Sequence, residues 1–266
     1  MPLSKTLALA VLALGIAGAS PATALDLIGL TANNQLLLMT DTQPGSARSL
    51  DITGVDTKVL GIDIRPADLA LYAVTATGTL YTIDAKTGAA TRKSKISERL
   101  EAVDNLVFDF NPQADRLRVM ASNGQNLRVN VDTGATVIDG RLSYDKQDAH
   151  AGTEPRVLAG AYINSYKGTK YTQLFDVDSK NGMYVVQDPP NDGVLKTIGP
   201  TGLSAGTKIE AIDIFTDPKD EYHGFAVAGG ALYIFPLAKG TMRRVGKIAS
   251  PAGAGVIDIA TPVVNR

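Results

Sequence analysis

Val59-Leu60-Gly61-Ile62-Asp63-Ile64-Arg65-Pro66 decides the fold, because the chain repeats it. Echoes stand at Leu106-Val107-Phe108-Asp109-Phe110-Asn111-Pro112, Leu158-Ala159-Gly160-Ala161-Tyr162-Ile163-Asn164, Glu210-Ala211-Ile212-Asp213-Ile214-Phe215 and Gly255-Val256-Ile257-Asp258-Ile259-Ala260. With Asp63, Asp109, Tyr162, Asp213 and Asp258 as equivalents, the copies lie 46, 53, 51 and 45 residues apart. Such a period fits one four-stranded unit per copy, as in propeller blades.

Inside each period the pattern is strand-like. Ala70-Leu71-Tyr72-Ala73-Val74, Thr77-Gly78, Leu80-Tyr81-Thr82-Ile83-Asp84, Lys86-Thr87-Gly88 and Ala90-Thr91-Arg92-Lys93 alternate β-rich runs with glycine turns, which gives hairpins. No sustained helical spacing of apolar residues follows the N-terminal segment, so helix content is expected to be small. The first copy is partial. Residues 27–31, 36–40 and 48–52 supply three strands, while residues 256–260 supply the missing fourth alone at the C-terminus. Pairing that last strand with the first blade covers two sheet edges and ties down both termini. The expectation is an all-β propeller of five antiparallel blades in one domain, residues 25–266. A six-bladed ring, with residues 132–155 hiding extra strands, and an open sandwich are the alternatives.

Residues 1–24 differ from the rest. Lys5 precedes the apolar run of residues 7–16, and Ala22-Thr23-Ala24 is a small-x-small site, so the stretch reads as a secretory signal cleaved after Ala24. The run is shorter than the roughly 20 residues that span a bilayer, and no later segment spans either. The expected location is periplasmic or secreted. Cysteine is absent, which excludes thiol chemistry, thiolate zinc and disulfides, and two histidines are too few for a multi-histidine metal site. Lys+Arg of 26 against Asp+Glu of 27 leaves no positive excess for nucleic acid. A monomer is expected.

Two constellations are candidate sites. Asp63, Asp109, Asp213 and Asp258 alternate with apolar neighbours. If their strands line the axis, four carboxylates surround it and offer oxygen ligands to calcium. As a repeated residue, each equally suits a bond to backbone N–H groups or to the neighbouring blade. Blade three then breaks the repeat: Arg118 stands where blade two has Tyr72, Asn126 where it has Leu80, and Arg128 where it has Thr82. Local rule-breaking is where function concentrates. Arg116, Arg118, Gln125, Asn126 and Arg128 are therefore a candidate fork for a carboxylate or phosphate. Pairing of the arginines with Asp109, Asp115 or a neighbouring blade's carboxylate is the structural alternative.

Other motif matches are weaker. Gly202-Leu203-Ser204-Ala205-Gly206 lacks the strand-to-helix setting of a nucleophile elbow. Asp176-Val177-Asp178-Ser179-Lys180-Asn181-Gly182 resembles a calcium loop but puts lysine at the third ligand, so a hairpin turn is expected. Asp188-Pro189-Pro190-Asn191-Asp192-Gly193 is turn chemistry suited to a surface loop. His150 reads as a solvated loop residue.

Gly61-Ile62-Asp63-Ile64-Arg65-Pro66 with Leu80-Tyr81-Thr82-Ile83-Asp84-Ala85-Lys86-Thr87-Gly88, then Phe108-Asp109-Phe110-Asn111-Pro112, Asp115-Arg116-Leu117-Arg118-Val119 and Gly124-Gln125-Asn126-Leu127-Arg128-Val129-Asn130, resembles the uncharacterised bacterial family called domain of unknown function 4394. Pro189-Pro190-Asn191 and Thr197-Ile198-Gly199-Pro200 extend the likeness over nearly all of the mature chain. The resemblance implies an extracytoplasmic propeller and carries no activity. The Asp-x-x-Thr-Gly turn also resembles quinoprotein propellers, but those rely on a docking tryptophan and this chain has none, so no cofactor is expected.

The leading expectation is a non-catalytic binding module for an envelope protein or small ligand. The alternative is a calcium-assisted hydrolase of the lactonase-like propeller type, with the axial aspartates as ligands. A structural role in the envelope is third.

Overall fold

Short runs of alternating side chains separated by glycine turns become strands in the computed structural model, which describes residues 24–101 and 106–266. The first three are β1 (Asp26–Thr31), β2 (Gln35–Thr40) and β3 (Arg48–Asp51). Blade two is β4 (Val59–Ile64), β5 (Leu71–Thr75), β6 (Thr79–Ile83) and β7 (Ala90–Lys95). Blade three is β8 (Val107–Asn111), β9 (Arg116–Met120), β10 (Asn126–Val129) and β11 (Thr136–Ile138), after which β12 (Ser143–Tyr144) leaves it. Blade four is β13 (Val157–Tyr162), β14 (Leu174–Asp178), β15 (Met183–Gln187) and β16 (Val194–Pro200). Blade five is β17 (Ile209–Thr216), β18 (Tyr222–Ala228), β19 (Ala231–Phe235) and β20 (Arg243–Lys247), and β21 (Val256–Ala260) ends the series. Helical structure among the described residues is three 3-10 turns, Pro44–Ser46, Pro190–Asp192 and Pro251–Gly253.

Five sheets result, and the ring closes as expected: β21 pairs antiparallel with β1, Ile28 opposite Ala260 and Leu30 opposite Asp258. Blade one is thus built from both ends of the domain. Residues 132–155 do contain two strands, but they make no sixth blade. β11 completes blade three, and β12 lies parallel to β16 as a fifth strand on the outside of blade four. The signal segment lies outside the described residues, apart from Ala24. Among the described residues no helix is long and apolar enough to cross a membrane.

Burial falls from the axis outward. β4, β8, β13 and β21 are almost wholly buried, whereas β3, β7, β11 and β20 are largely exposed. The core is correspondingly divided into five apolar clusters, one in each seam between adjacent blades. Between blades two and three, Leu60, Tyr72 and Leu80 meet Phe108, Phe110 and Leu127, and each such side chain contributes about 1.5–3 kcal/mol by leaving water. The seam is tight enough to require a missing side chain: a Cβ at Gly61 would stand 2.6 Å from the Phe108 Cβ.

Candidate functional site

The four repeated aspartates lie on the innermost strands and are all buried. Burial near the axis follows from strand alternation: flanking Ile and Phe residues turn into the seams. The carboxylates face main-chain donors. Asp258 Oδ2 accepts from Ile62 N–H at 2.7 Å, Asp63 Oδ2 from Phe110 N–H at 2.8 Å, Asp109 Oδ1 from Tyr162 N–H at 2.9 Å and Asp213 Oδ2 from Thr261 N–H at 2.5 Å. Each joins its own blade to the next. The second oxygens of Asp63, Asp213 and Asp258 take the N–H of the following residue on their own strand. Blade four carries Tyr162 in place of aspartate, and its junction with blade five is made the other way, by Asn164 N–H donating to Thr216 Oγ1 at 3.0 Å. Burial pushes all four carboxyls above their usual range, and neighbouring carboxylates add to the rise at Asp63, Asp109 and Asp258.

The blade-three cluster lies in the seam with blade four. Arg118 and Arg128 are opposite one another on β9 and β10, so both side chains leave the same face of the sheet. Arg118 is 1% exposed. Its Nε donates to Tyr162 Oη at 3.2 Å, its Nη1 to Asn126 Oδ1 and to Asp139 Oδ2, both at 2.6 Å, and its Nη2 to Asn191 Oδ1 at 2.9 Å. Arg128 takes Asp139 from the other side with Nε and Nη2, at 2.7 and 3.0 Å. Three of the five candidate residues, Arg118, Asn126 and Arg128, therefore converge, and they converge on acceptors of their own chain. The other two do not join them. Arg116 is exposed and bonds the Asp115 carbonyl, while Gln125 bridges Arg99 O and Glu101 N–H.

Asp139 is the partner that the sequence did not indicate. It sits just beyond β11 in the connection to β12, and only the fold carries it under both arginines. Asp115, a candidate partner by proximity in sequence, is held instead by Arg65 of blade two, Nε to Oδ1 at 2.8 Å and Nη2 to Oδ2 at 2.7 Å. The turn of residues 188–193 closes the seam from outside: Asn126 Nδ2 and Gln187 Nε2 both donate to Pro190 O, and Gly140 N–H donates to Asn191 O.

The weaker motifs resolve into structure. Gly202 to Gly206 lies in the connection between β16 and β17, with no helix after it. Asp178, in the calcium-like stretch, accepts the Tyr144 hydroxyl at 2.6 Å and the N–H groups of Arg156 and Lys180. His150 is less solvated than expected: its ring packs on Tyr144 at 5.2 Å and its Nδ1 meets Asp148 and Thr197.

Open space lies on either side of blade five. One groove, about 440 Å³, is lined by Tyr222, Phe225, Phe235 and Pro236 with His223, Arg243 and Asp41 as its charged or polar groups. A second, about 660 Å³, is lined by Phe175, Val186, Ile198, Tyr222, Pro236 and Leu237. Tyr222 and Pro236 belong to both. Nothing in the repeat marks these residues, because the walls combine β14, β15, β16, β18, β19 and β20 with one residue of blade one. At the first groove, Asp217, Glu221 and His223 bring ligand atoms within 4.8 Å of one another, the one such group of three found among the described residues. Asp217 Oδ1 is already engaged by the N–H groups of Lys219 and Glu221, which caps the turn between β17 and β18.

Comparison with known proteins agrees with the fold and does not extend to an activity. No curated protein matches the chain. Among solved structures, a chain of a nidogen/laminin complex aligns over 91% of this chain and 99% of its own at 9% identity, with a TM-score of 0.53. A structural genomics protein of unknown function from Bacteroides thetaiotaomicron VPI-5482 aligns over 91% of this chain and 65% of its own at 16% identity, TM-score 0.54. BamB from Moraxella catarrhalis aligns over 84% of this chain and 58% of its own at 16% identity, with a TM-score of 0.37. The first two likenesses speak for the fold alone. The family model described as Domain of unknown function (DUF4394) matches residues 35–260, nearly the whole propeller, and the chain belongs to that family.

Proposed function

We propose that this chain is an exported, non-catalytic binding module that receives an apolar group of its ligand, a partner protein's segment or a small molecule, in the paired grooves of blade five. The observation that carries the reading is the contrast between committed and open surface. The axial aspartates accept main-chain N–H groups, and Arg118 donates to four acceptors of its own chain. The grooves, by contrast, are open, mostly apolar and of about 440 and 660 Å³, within the size range of ligand sites. Arg243, Asp41 and His223 at the first groove supply the few polar groups that orient a guest. Calcium-assisted hydrolysis gains no support from carboxylates already engaged in joining blades.

A photo-crosslinking residue at His223 or Ile198, both exposed, tests the site in extract of the source organism. The same probe at exposed Lys86 on blade two is the control. Adducts specific to the blade-five positions are expected; identical adduct patterns from all three would overturn the assignment.

A further inference from the structure

Asp176 is the anomaly of the molecule. It lies on β14, opposite Gly160 of β13 and Val185 of β15, and is 0% exposed. Neither carboxyl oxygen has a hydrogen-bond partner, and neither does the Oε1 of Gln187 two strand positions away on the same face. Burying a polar group without a donor is unfavourable, and burying an ionised one more so, so an acid placed here calls for an explanation. Its place is built for it: a Cβ at Gly160 would stand 2.1 Å from Asp176 Oδ1, so the absence of a side chain at 160 is what admits the carboxyl.

The surroundings supply one charge that bridges the two blades. Pairing registers put Asp176, Gly160, Tyr162 and Gln187 on the face of blade four that meets blade three. From blade three, Asp109, Arg118 and Arg128 face them, with Asn126 beside them and Asp139 behind the two arginines. Tyr184 neighbours Asp176 in the sheet. Asp109 is tied to Tyr162 N–H, and Arg128 is tied bidentately to Asp139. Of the charged groups here, Arg118 divides its donors between the two blades, holding Tyr162 and the loop residue Asn191 on one side and Asp139 on the other. Two arginines share the carboxylate of Asp139 and Asp109 is spent on Tyr162 N–H, so Asp176 is the carboxyl of this group with no partner of its own.

We propose that the seam between blades three and four is a proton-operated latch, in which neutral Asp176 leaves Arg118 free to hold Asn191 and the 188–193 loop closed, and ionised Asp176 draws Arg118 off Asn191 and loosens that loop. The proton leaves Asp176 for solvent, no other covalent bond is made or broken, and the Arg118 hydrogen bond to Asn191 is exchanged for one to Asp176. Burial pushes the Asp176 carboxyl up to about 8, and the Arg118 charge opposes that rise, so the latch turns over in mildly alkaline solution. Loop 188–193 is held shut from the other side by Gly140 N–H on Asn191 O and Ser143 N–H on Gly193 O, both at 2.9 Å, and these two amides report its state.

The test is amide hydrogen exchange on the full mature chain, expressed as protection factors to remove the intrinsic pH dependence, from about pH 6 to pH 9.5. Wild type should lose roughly tenfold or more of the protection at Gly140 and Ser143 across the Asp176 titration, while Phe110 at the axis stays protected. In Asp176→Asn, which cannot ionise, protection at Gly140 and Ser143 should be flat with pH. Flat wild-type protection, or an equal loss in the variant, would overturn the latch. Carbon-13 detection of the Asp176 carboxyl needs no variant: titration below about pH 5, near the ordinary carboxylate range, would overturn it as well.

Discussion

Asp63 of blade two accepts the main-chain N–H of Phe110 in blade three with Oδ2, while its Oδ1 takes the N–H of its own neighbour Ile64. One side chain thus does for two blades what no main-chain ladder can do, because adjacent inner strands of a propeller do not hydrogen-bond as a sheet.

Removing that acceptor leaves a buried N–H without a partner. Asp63→Ala should cost about 1–3 kcal/mol, and Asp63→Asn less, since the amide oxygen keeps one of the two bonds. Chemical denaturation with and without calcium checks both points. The same loss in both conditions fits a joint between blades; stabilisation of wild type alone by calcium would reinstate the ion.

The buried acids set the direction of the pH response. Asp63, Asp109, Asp213, Asp258 and Asp176 all have folded-state values above their ordinary ones, mainly through burial. The folded protein therefore holds protons that the unfolded chain releases near about pH 4. Their contribution is complete below that point and declines as pH rises toward the folded values, by about 1.4 kcal/mol per unit for each group while it titrates. Asp132 works oppositely, held low by Arg65 and Lys93, and loses its contribution in acid. Melting temperature should peak near about pH 5 and fall steadily to pH 8; a rise over that interval would contradict the assignment.

Arg118 and Asp139 form a pair 1% and 4% exposed at the side chain. Breaking a buried pair by removing one partner costs about 3–5 kcal/mol. Arg118→Met or Asp139→Leu alone should approach that range, and the two together should recover part of it. Arg128→Ala, at a half-exposed position, should cost less than either single change. Urea denaturation of the four variants gives the comparison.

The candidate sites were legible to unequal depth. Strand period, blade number and closure could be read because each blade repeats the same apolar strand and glycine turn, and such patterns are local. That Arg118, Asn126 and Arg128 belong together followed from the break in that pattern. Their purpose did not, because it depends on Asp139, Tyr162 and Asn191, which lie 21, 44 and 73 residues from Arg118. Asp176 was hidden by the calcium-like spacing around it; its isolation arises from Gly160, Val107 and the blade-three face, none of them nearby in sequence. The grooves of blade five left no mark at all, since their residues are ordinary strand residues until the blades assemble.

Leu25 donates its N–H to Asp41 Oδ1 at 2.9 Å, and Asp41 returns its own N–H to Leu25 O. Cleavage after Ala24 would convert that donor into an ammonium paired with a carboxylate. Mass analysis of the protein isolated from the source organism should find Leu25 first. Chain beginning at Leu25 should melt slightly higher than the same chain acetylated there, by the roughly 0.2–1 kcal/mol of a partly exposed pair. A different first residue would contradict the cleavage site, and equal melting would contradict the pairing.

The closed ring is the claim on which the rest depends, and β21 is its one covalently distant piece. Truncating the chain before Gly255 removes the strand that pairs with β1 and the Asp258 that reaches Ile62. Thermal melting of this truncated protein beside the mature chain should show a large loss of stability with aggregation through the bared edge of β1. An unchanged melting temperature and a monodisperse truncated protein would contradict the closure, and with it the placement of the aspartates about the axis.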